Sequence, residues 1–577
     1  MPDADELQAL MLREWQYQLE RSPVFTSLMM GDRRWNDRWD DRSAEGLEGD
    51  HRHNVDVLER LQRIDRARLG AGDRLNHDLM RRDYETWRDE YTCKLHLLST
   101  SHLGWLPEYI RQFPAVATAS QLASELRFEM SRDYEDWILR LERFPEYVKQ
   151  VVARMREGVR EGVVHPRAVV MRIPAQIEKL LVDDATRSAF YSPFTRFPAG
   201  VPEGDRGRLA AAAERAISKG VLPALRQFLE FVTGEYVPAS PETVGLWQYA
   251  RGEETYAFLA RKFTTTRLTP NEIHEVGLAE VERLRAEMEA VKAKVGFAGS
   301  LPAFFEFLRH DPRFYFKTGT ELVEQYRNLA KRIDPLLVKL FRTLQRQPYG
   351  VEPTPEAMAP NATTGFYVHG AADGSRAGIF LVNSYKPETR PRWQMVPLTL
   401  HEAVPGHHLQ VSLAAELEGI PDLRRYGRQT AYTEGWALYC ETLGDELGLY
   451  DDPYDKFGQL AFDMWRAIRL VVDTGLHAKQ WPRQRAIDYS LANSPQAEYE
   501  IANEVDRYIA QPGQALAYKI GQLKFRELRT RAERTLGNRF DVRAFHDLVL
   551  LGGPTPLDML EGQVDDWVQR MQHMGQE

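Results

Sequence analysis

Cysteine is almost missing from this chain of 577 residues. Cys93 and Cys440 stand far apart, so no disulfide framework is available to hold the fold. Positive charge is not in excess either: 75 Lys and Arg face 84 Asp and Glu, a net charge of −9. A chain without a basic surplus has no electrostatic footprint for a phosphate backbone, which excludes nucleic acid as an expected partner. No apolar run approaches the roughly 20 residues that cross a bilayer, so no membrane partner is expected. The N-terminal MPDADELQALMLREW is acidic and then amphipathic. It lacks the basic start and apolar stretch of a secretory signal, and the expected location is the cytoplasm. No Gly-rich phosphate loop, GxSxG elbow or CxxC pair occurs in a suitable context, which removes the commonest nucleotide, serine-hydrolase and thiol-redox readings.

What remains is ordinary globular composition, 43% hydrophobic and 28% charged, in a chain long enough to bury its core without a structural metal. Most of it reads as helix. Val148, Val151, Val152, Met155 and Val159 recur at three- and four-residue intervals and form one apolar stripe. Thr269-Pro270-Asn271-Glu272 reads as a helix start, with Thr269 as cap, Pro270 in the first turn and Glu272 closing a capping box. Val281, Leu284, Met288, Val291 and Val295 continue that helix, and Gly296 can end it.

The densely charged stretch Gly31 to Asp50 reads as a solvated surface loop, with a lid as the functional alternative. SPFTRFPAGVPEGD, Ser192 to Asp205, reads as a hinge or lobe boundary. That boundary divides the chain into an N-terminal helical lobe, 1–205, and a region 206–577 that holds the candidate chemistry, within one folding unit. One segment reads as β: Phe366-Tyr367-Val368 and Gly378 to Asn383 flank a turn containing Asp373-Gly374, which predicts a hairpin.

Candidate chemistry concentrates in Leu398 to Gln410, LTLHEAVPGHHLQ. Three imidazoles and a carboxylate, His401, Glu402, His407 and His408, lie within eight residues. Imidazole suits zinc, and catalytic zinc takes three protein ligands with a position left open. The usual helical HExxH pair is broken here by Pro405. On a straight helix a residue six along is rotated by about 120°, and one seven along is in line but about 10 Å further up the axis. Pro405 disrupts the ladder and Gly406 tolerates unusual dihedrals, so a widened turn at Val404-Pro405-Gly406 could bring a second histidine to the metal. Glu402 would then face the metal's water as general base. Glu434, in YTEGW and 27 residues after His407, opens an apolar helical stretch and could supply the third ligand from a second helix.

HEAVPGHHLQ and the downstream YTEGWALYCE resemble the bacterial family known as domain of unknown function 885. The likeness continues through Glu242 to Gly277, Arg469 to Trp481 and Glu504 to Arg529, covering most of the C-terminal 340 residues; the N-terminal third matches more loosely. That family is similar to the helical zinc peptidases of the angiotensin-converting-enzyme, thimet-oligopeptidase and Taq-carboxypeptidase types. The resemblance implies a mainly α, two-lobed ellipsoid with a deep cleft and a small sheet near the site. It implies one zinc ion per chain, held by His401, His407 and Glu434, with His408 as rival second ligand because Val404-Pro405 is inserted relative to the relatives. It also implies a late residue that stabilises the oxyanion, Tyr518 or His477.

The expected activity is zinc-dependent hydrolysis of short peptides, of carboxypeptidase, dipeptidase or oligopeptidase type, with Glu402 as base. A zinc amidohydrolase for non-peptide amides and a catalytically inactive peptide-binding relative are the alternatives; an intact Glu402 argues against the last. A peptide cut near its C-terminus needs its carboxylate held, and Arg466, Arg469, Arg507 and Lys519 are candidates by chemistry and by proximity in sequence. The strand Gly378 to Asn383 is a candidate for pairing with an extended peptide, which puts Asn383 among the substrate contacts.

Overall fold

The structure, a computed structural model, describes residues 2–573 except 99, 102, 104–121, 125, 357–358, 360–361, 371–373, 375 and 428. The chain is mainly helical with one small sheet. It divides into two compact units, Met1–Val244 with Gln248–Arg251, and Gly245–Trp247 with Gly252–Glu577. No helix among the described residues is long and apolar enough to cross a membrane.

The first unit is organised on the helix Ser131–Glu161. Trp137, Leu141, Phe144, Val148, Val151 and Met155 form its buried face, and Val152 and Val159 sit half-buried at the edge of the stripe. Helices Glu203–Ala216 and Leu222–Phe231 pack on it. For that reason the division falls around residues 244–252 and not at 205. Pro193 and Phe194 are buried in a 3₁₀ turn, and Pro202 simply precedes a helix of the same unit. The stretch from Gly31 to Asp50 is also not a solvated loop. Trp39 is buried, stacks on Tyr147 with ring centroids 5.1 Å apart, and donates from Nε1 to the Arg140 carbonyl at 2.7 Å. The charges of the stretch are paired, Asp40 with Arg42 inside it at 2.8 Å and Asp50 with Arg21 outside it at 2.7 Å. From Ala44 the chain is helical to Arg63, capped by the Ser43 hydroxyl, which accepts from the Gly46 N–H.

In the second unit the helix Pro270–Lys294 starts as its sequence implies. The Thr269 hydroxyl accepts from the Glu272 N–H, and the Glu272 carboxylate accepts from the Thr269 N–H. It packs along the helix Pro453–Ala478 at Gly277, where a Cβ would meet the Leu470 Cβ at 2.7 Å. The sheet has order β1-β3-β2, with β1 Tyr349–Pro353, β2 Gly365–Val368 and β3 Gly378–Val382. β2 and β3 are antiparallel, as a hairpin requires, and Asp373 of the expected turn lies outside the described residues. β3 is the central strand, because β1 pairs with it in parallel from Tyr349↔Gly378 to Pro353↔Val382. Both of its edges are therefore used, which corrects the expectation that Gly378 to Asn383 could accept a peptide strand. β1 has little strand signal: Gly350 and Pro353 read as breakers, and only Val351 is buried.

Candidate metal centre

All eight residues of the helix Met395–Glu402 are buried, so its two chemical residues, His401 and Glu402, stand in the interior at its last turn. The chain then leaves helical geometry through Ala403 to Gly406 and re-enters a helix at His407–Glu416. The His408 N–H reaches back to the Ala403 carbonyl at 3.1 Å, one residue wider than an α-helical turn. Gly406 is required there by proximity and not by dihedral. A Cβ would lie 2.0 Å from the His401 carbonyl and 2.4 Å from that of Leu400. The Pro405 carbonyl is pinned by the indole N–H of Trp436 at 2.9 Å. Trp436 belongs to the helix Thr430–Thr442, which also carries Glu434, so the broken turn and the third carboxylate are fixed to each other.

This arrangement brings together the three residues read as ligands. One donor atom from each of His401, His407 and Glu434 lies within 4.8 Å of the others. The Glu434 Oε2 is 3.5 Å from His407 Nε2 and 3.8 Å from His401 Nε2. The two imidazoles stand edge to face, with centroids 4.8 Å apart and planes at 88°. Two nitrogens and a carboxylate oxygen converging on one point fit a zinc ion, whose common catalytic set is His₂Glu. His401 Nδ1 donates to Glu441 Oε1 at 2.8 Å, which turns Nε2 towards Glu434 and His407. Glu441 is wholly buried, and Arg466 Nη2 lies 3.6 Å from the same oxygen.

Charge agrees with that fit. Burial works against a charged His401, but hydrogen bonds to Glu434 and Glu441 and the field of Glu402 outweigh it and lift its pKa to about 9. Burial alone would raise Glu434; the two histidines instead hold it well below the usual carboxylate range. Three carboxylates and two imidazoles thus share one buried site, where the opposite charges raise the imidazole of His401 and lower the carboxylate of Glu434. Glu402 is buried beside them and forms no hydrogen bond with a described side chain. Burial raises its pKa, partly countered by His401 and His407, as suits a proton acceptor at neutral pH.

Tyr518 lies on the helix Leu516–Leu536, which crosses the Glu434 helix at two facing glycines. A Cβ on Gly435 would sit 2.4 Å from the Gly521 Cα, and one on Gly521 would sit 2.1 Å from the Ala431 carbonyl. That close crossing sets Tyr518 near Glu434, whose charge, after burial, contributes to the raised pKa of the phenol.

The other expected residues are placed elsewhere or already bound. His408 turns away: its Nε2 donates to the Gln347 carbonyl at 3.0 Å, and its Nδ1 accepts from the Tyr367 hydroxyl at 2.9 Å, so the rival ligand is spent on the sheet. His477 accepts from the Leu246 N–H at 3.1 Å and donates to the Tyr508 carbonyl at 3.0 Å, which leaves no donor for an oxyanion. Asn383 is fully buried and its amide donates to the carbonyls of Ala359 and Ala362, so it holds a loop and not a substrate. Lys519 is buried between Asp463 at 2.5 Å and Glu280 at 2.9 Å. Arg469 donates to the Tyr508 hydroxyl at 3.1 Å and to Glu504 at 3.0 Å. Glu441 escaped notice in the sequence. Its signal was there: it follows Glu434 by seven residues, two turns along the same helical face.

A family model described as "Bacterial protein of unknown function (DUF885)" matches residues 25–564. Among solved structures, one described as "the putative lipoprotein from Colwellia psychrerythraea" superposes with a TM-score of 0.90 at 25% identity, covering 98% of this chain and 99% of that one. A second, "a putative lipoprotein of unknown function from Shewanella oneidensis", gives 0.70 at 15% identity, covering 96% and 99%, and shares the fold. The sequence matches no curated protein.

Proposed function

The chain belongs to the DUF885 family of bacterial proteins of unknown function, and we propose that it is a zinc-dependent hydrolase of short peptides. The observation that carries this reading is the convergence of His401, His407 and Glu434 within 4.8 Å beside Glu402. A zinc ion bound there supplies a Lewis acid for the scissile carbonyl and lowers the pKa of water. Glu402 would take a proton from the attacking water and later deliver it to the leaving amine, a role that its raised pKa and the lack of a hydrogen bond to any described side chain favour. Glu441 orients His401 and fixes its tautomer, and Arg466 Nη2 lies 3.6 Å from the same Glu441 oxygen. Tyr518, on the helix locked against that of Glu434, donates to the oxyanion. A zinc-peptidase-like cleft over the triad belongs to the same proposal.

A peptide-library digest with metal-loaded protein, with and without chelator, tests the reading. Chelator-sensitive cleavage supports it. Absence of any transition metal after metal-supplemented expression would overturn it, and cleavage confined to non-peptide amides would favour the amidohydrolase alternative. Location carries a second reading. The sequence points to the cytoplasm, whereas the Colwellia psychrerythraea relative is described as a lipoprotein. Fractionation of the native cells decides between cytoplasm and envelope.

A further inference from the structure

Four cations near the candidate centre were candidates for a substrate carboxylate, and the structure spends three of them. Lys519 has no exposed surface and is shared by Asp463 and Glu280. Arg466 is buried against Glu441 and the Phe462 carbonyl. Arg469, with 5% of its side chain exposed, is sandwiched between the rings of Trp465 at 4.8 Å and Tyr518 at 4.5 Å and anchored by Glu504. Arg507 differs. Its Nε and Nη2 grip the two oxygens of Glu504 at 3.1 and 2.9 Å, its Nη1 donates to the Gln514 side chain at 2.6 Å, and 18% of its side chain reaches solvent.

Glu504 therefore serves two guanidiniums, which leaves one positive charge in surplus. The neighbouring carboxylates do not absorb it. Glu500 faces Arg390 at 3.7 Å, and Asp473 is held by the Tyr256 hydroxyl and the Gly513 N–H. Arg469 Nη1 is buried without a partner, a second sign that the cluster lacks an anion. The surplus lies on the Tyr518 side of Glu434, because Arg469 stacks on the Tyr518 ring and the Tyr518 helix crosses the Glu434 helix at Gly435 and Gly521. Of the four, Arg507 is the most exposed, and a guanidinium is shaped to take a carboxylate through two parallel N–H bonds. Arg507 lies over the Tyr508 ring at 5.0 Å, and Tyr508 and Arg469, which share Glu504 with it, are buried, so little room is left beyond it for a continuing backbone.

We propose that Arg507, steadied by Gln514 and Glu504, binds the free C-terminal carboxylate of the peptide substrate, so that cleavage falls near the C-terminus. This rests on the reading of the triad as a peptide hydrolase. The assignment is tested by calorimetric binding to metal-loaded Glu402→Gln protein, which needs no turnover. The probes are acetyl-trialanine as free acid, its C-terminal amide, and acetyl-Ala-Asp-Ala amide, which carries its carboxylate on a side chain. The acid is expected to bind roughly 100-fold more tightly than either amide, the scale of losing a paired charge. Arg507→Gln should erase that difference and Arg507→Lys should restore part of it. Arg507→Gln leaves Arg469 and Glu504 paired one to one, so its melting temperature should stay close to that of the parent.

Equal binding of acid and amide, tight binding of the aspartyl amide, or no binding of any probe overturns the assignment. So does an Arg507→Gln protein that folds and still prefers the acid. A metal-loaded parent that cleaves no peptide, while the Arg507-dependent preference for the acid persists, overturns the hydrolase reading alone. Cleavage of acid and amide at equal rates overturns the role of Arg507 alone.

Discussion

One residue along a helix turns a side chain by about 100°, and at the head of the helix His407–Glu416 that step separates the histidine proposed as a ligand from one bound to its neighbours. His407 faces Glu434, and His408 faces Gln347 and Tyr367. His407→Ala should therefore lower zinc affinity by far more than the roughly 10–100-fold of an outer partner, whereas His408→Ala should stay loaded and melt at lower temperature. Competition with a chromophoric chelator, run beside thermal melts, reads both; a His408→Ala protein that loses its metal would reverse the assignment. Glu441→Gln should weaken zinc by about 10–100-fold, because it loosens His401 without removing a ligand. Unchanged affinity would reduce Glu441 to a packing role. Glu402→Gln should keep the metal and lose roughly 10²–10⁴-fold in kcat against a cleaved peptide, and activity within a few-fold of the parent would take Glu402 out of the chemistry. The residues that converge here were legible in the sequence because imidazole and carboxylate are the donor groups that a metal site of the proposed kind would use. The choice between His407 and His408 was open in it, because the geometry of the broken turn depends on Trp436 from another helix.

At the scale of elements, signals confined to a few residues were readable and those depending on distant partners were not. The capping box at Thr269 is complete within four residues, and it forms as read. The stretch from Gly31 to Asp50 misled because its charges resemble a solvated surface; they are neutralised by one another and by Arg21, and Trp39 is buried on Tyr147. β1 needs β3 as parallel partner before Tyr349–Pro353 becomes a strand, so no local pattern announces it. The crossing of helices Thr430–Thr442 and Leu516–Leu536 is of the same kind, since Gly435 and Gly521 acquire meaning only when they face each other. Gly521→Ala would place a Cβ 2.1 Å from the Ala431 carbonyl, with backbone on both sides and no flexible end to yield. It should cost about 1–3 kcal/mol or more and push Tyr518 away from Glu434. Lower melting temperature together with reduced kcat is the expected pair of results. A variant as stable as the parent would mean that the helices do not meet this closely.

For the whole chain, buried histidines and aspartates set how stability follows pH. Burial lowers the pKa of His96, His165 and His477 to about 4 and that of His546 to about 3, with Arg154 also contributing at His96. Each is neutral in the fold and has an ordinary value of about 6.5 when unfolded. Their stabilisation is therefore present above pH 6.5 and is lost as pH falls towards 4. Asp455 and Asp473 act in the opposite sense. Burial raises both to about 7, so the fold holds their protons and their stabilisation, complete below about pH 4, fades as pH rises through 7. At about pH 5.5 unfolding should take up a proton at each of the four histidines and release one from each of the two aspartates, a net uptake from these groups of about two protons. The contribution of these six groups to stability should accordingly fall by about 2 kcal/mol per pH unit between 6 and 5. Asp473→Asn isolates one of the opposing groups. It keeps an acceptor for the Tyr256 hydroxyl and the Gly513 N–H but has no proton to release. Net uptake at about pH 5.5 should then rise by about one proton relative to the parent, while at pH 8, where Asp473 is mostly ionised in both states, the two proteins should match. Unfolding enthalpies in buffers of different ionisation enthalpy give the proton count directly. An uptake identical in variant and parent at pH 5.5 would show that Asp473 is already ionised in the fold, and that its burial among Tyr256, Gly513 and the helix Pro453–Ala478 leaves its acidity unchanged.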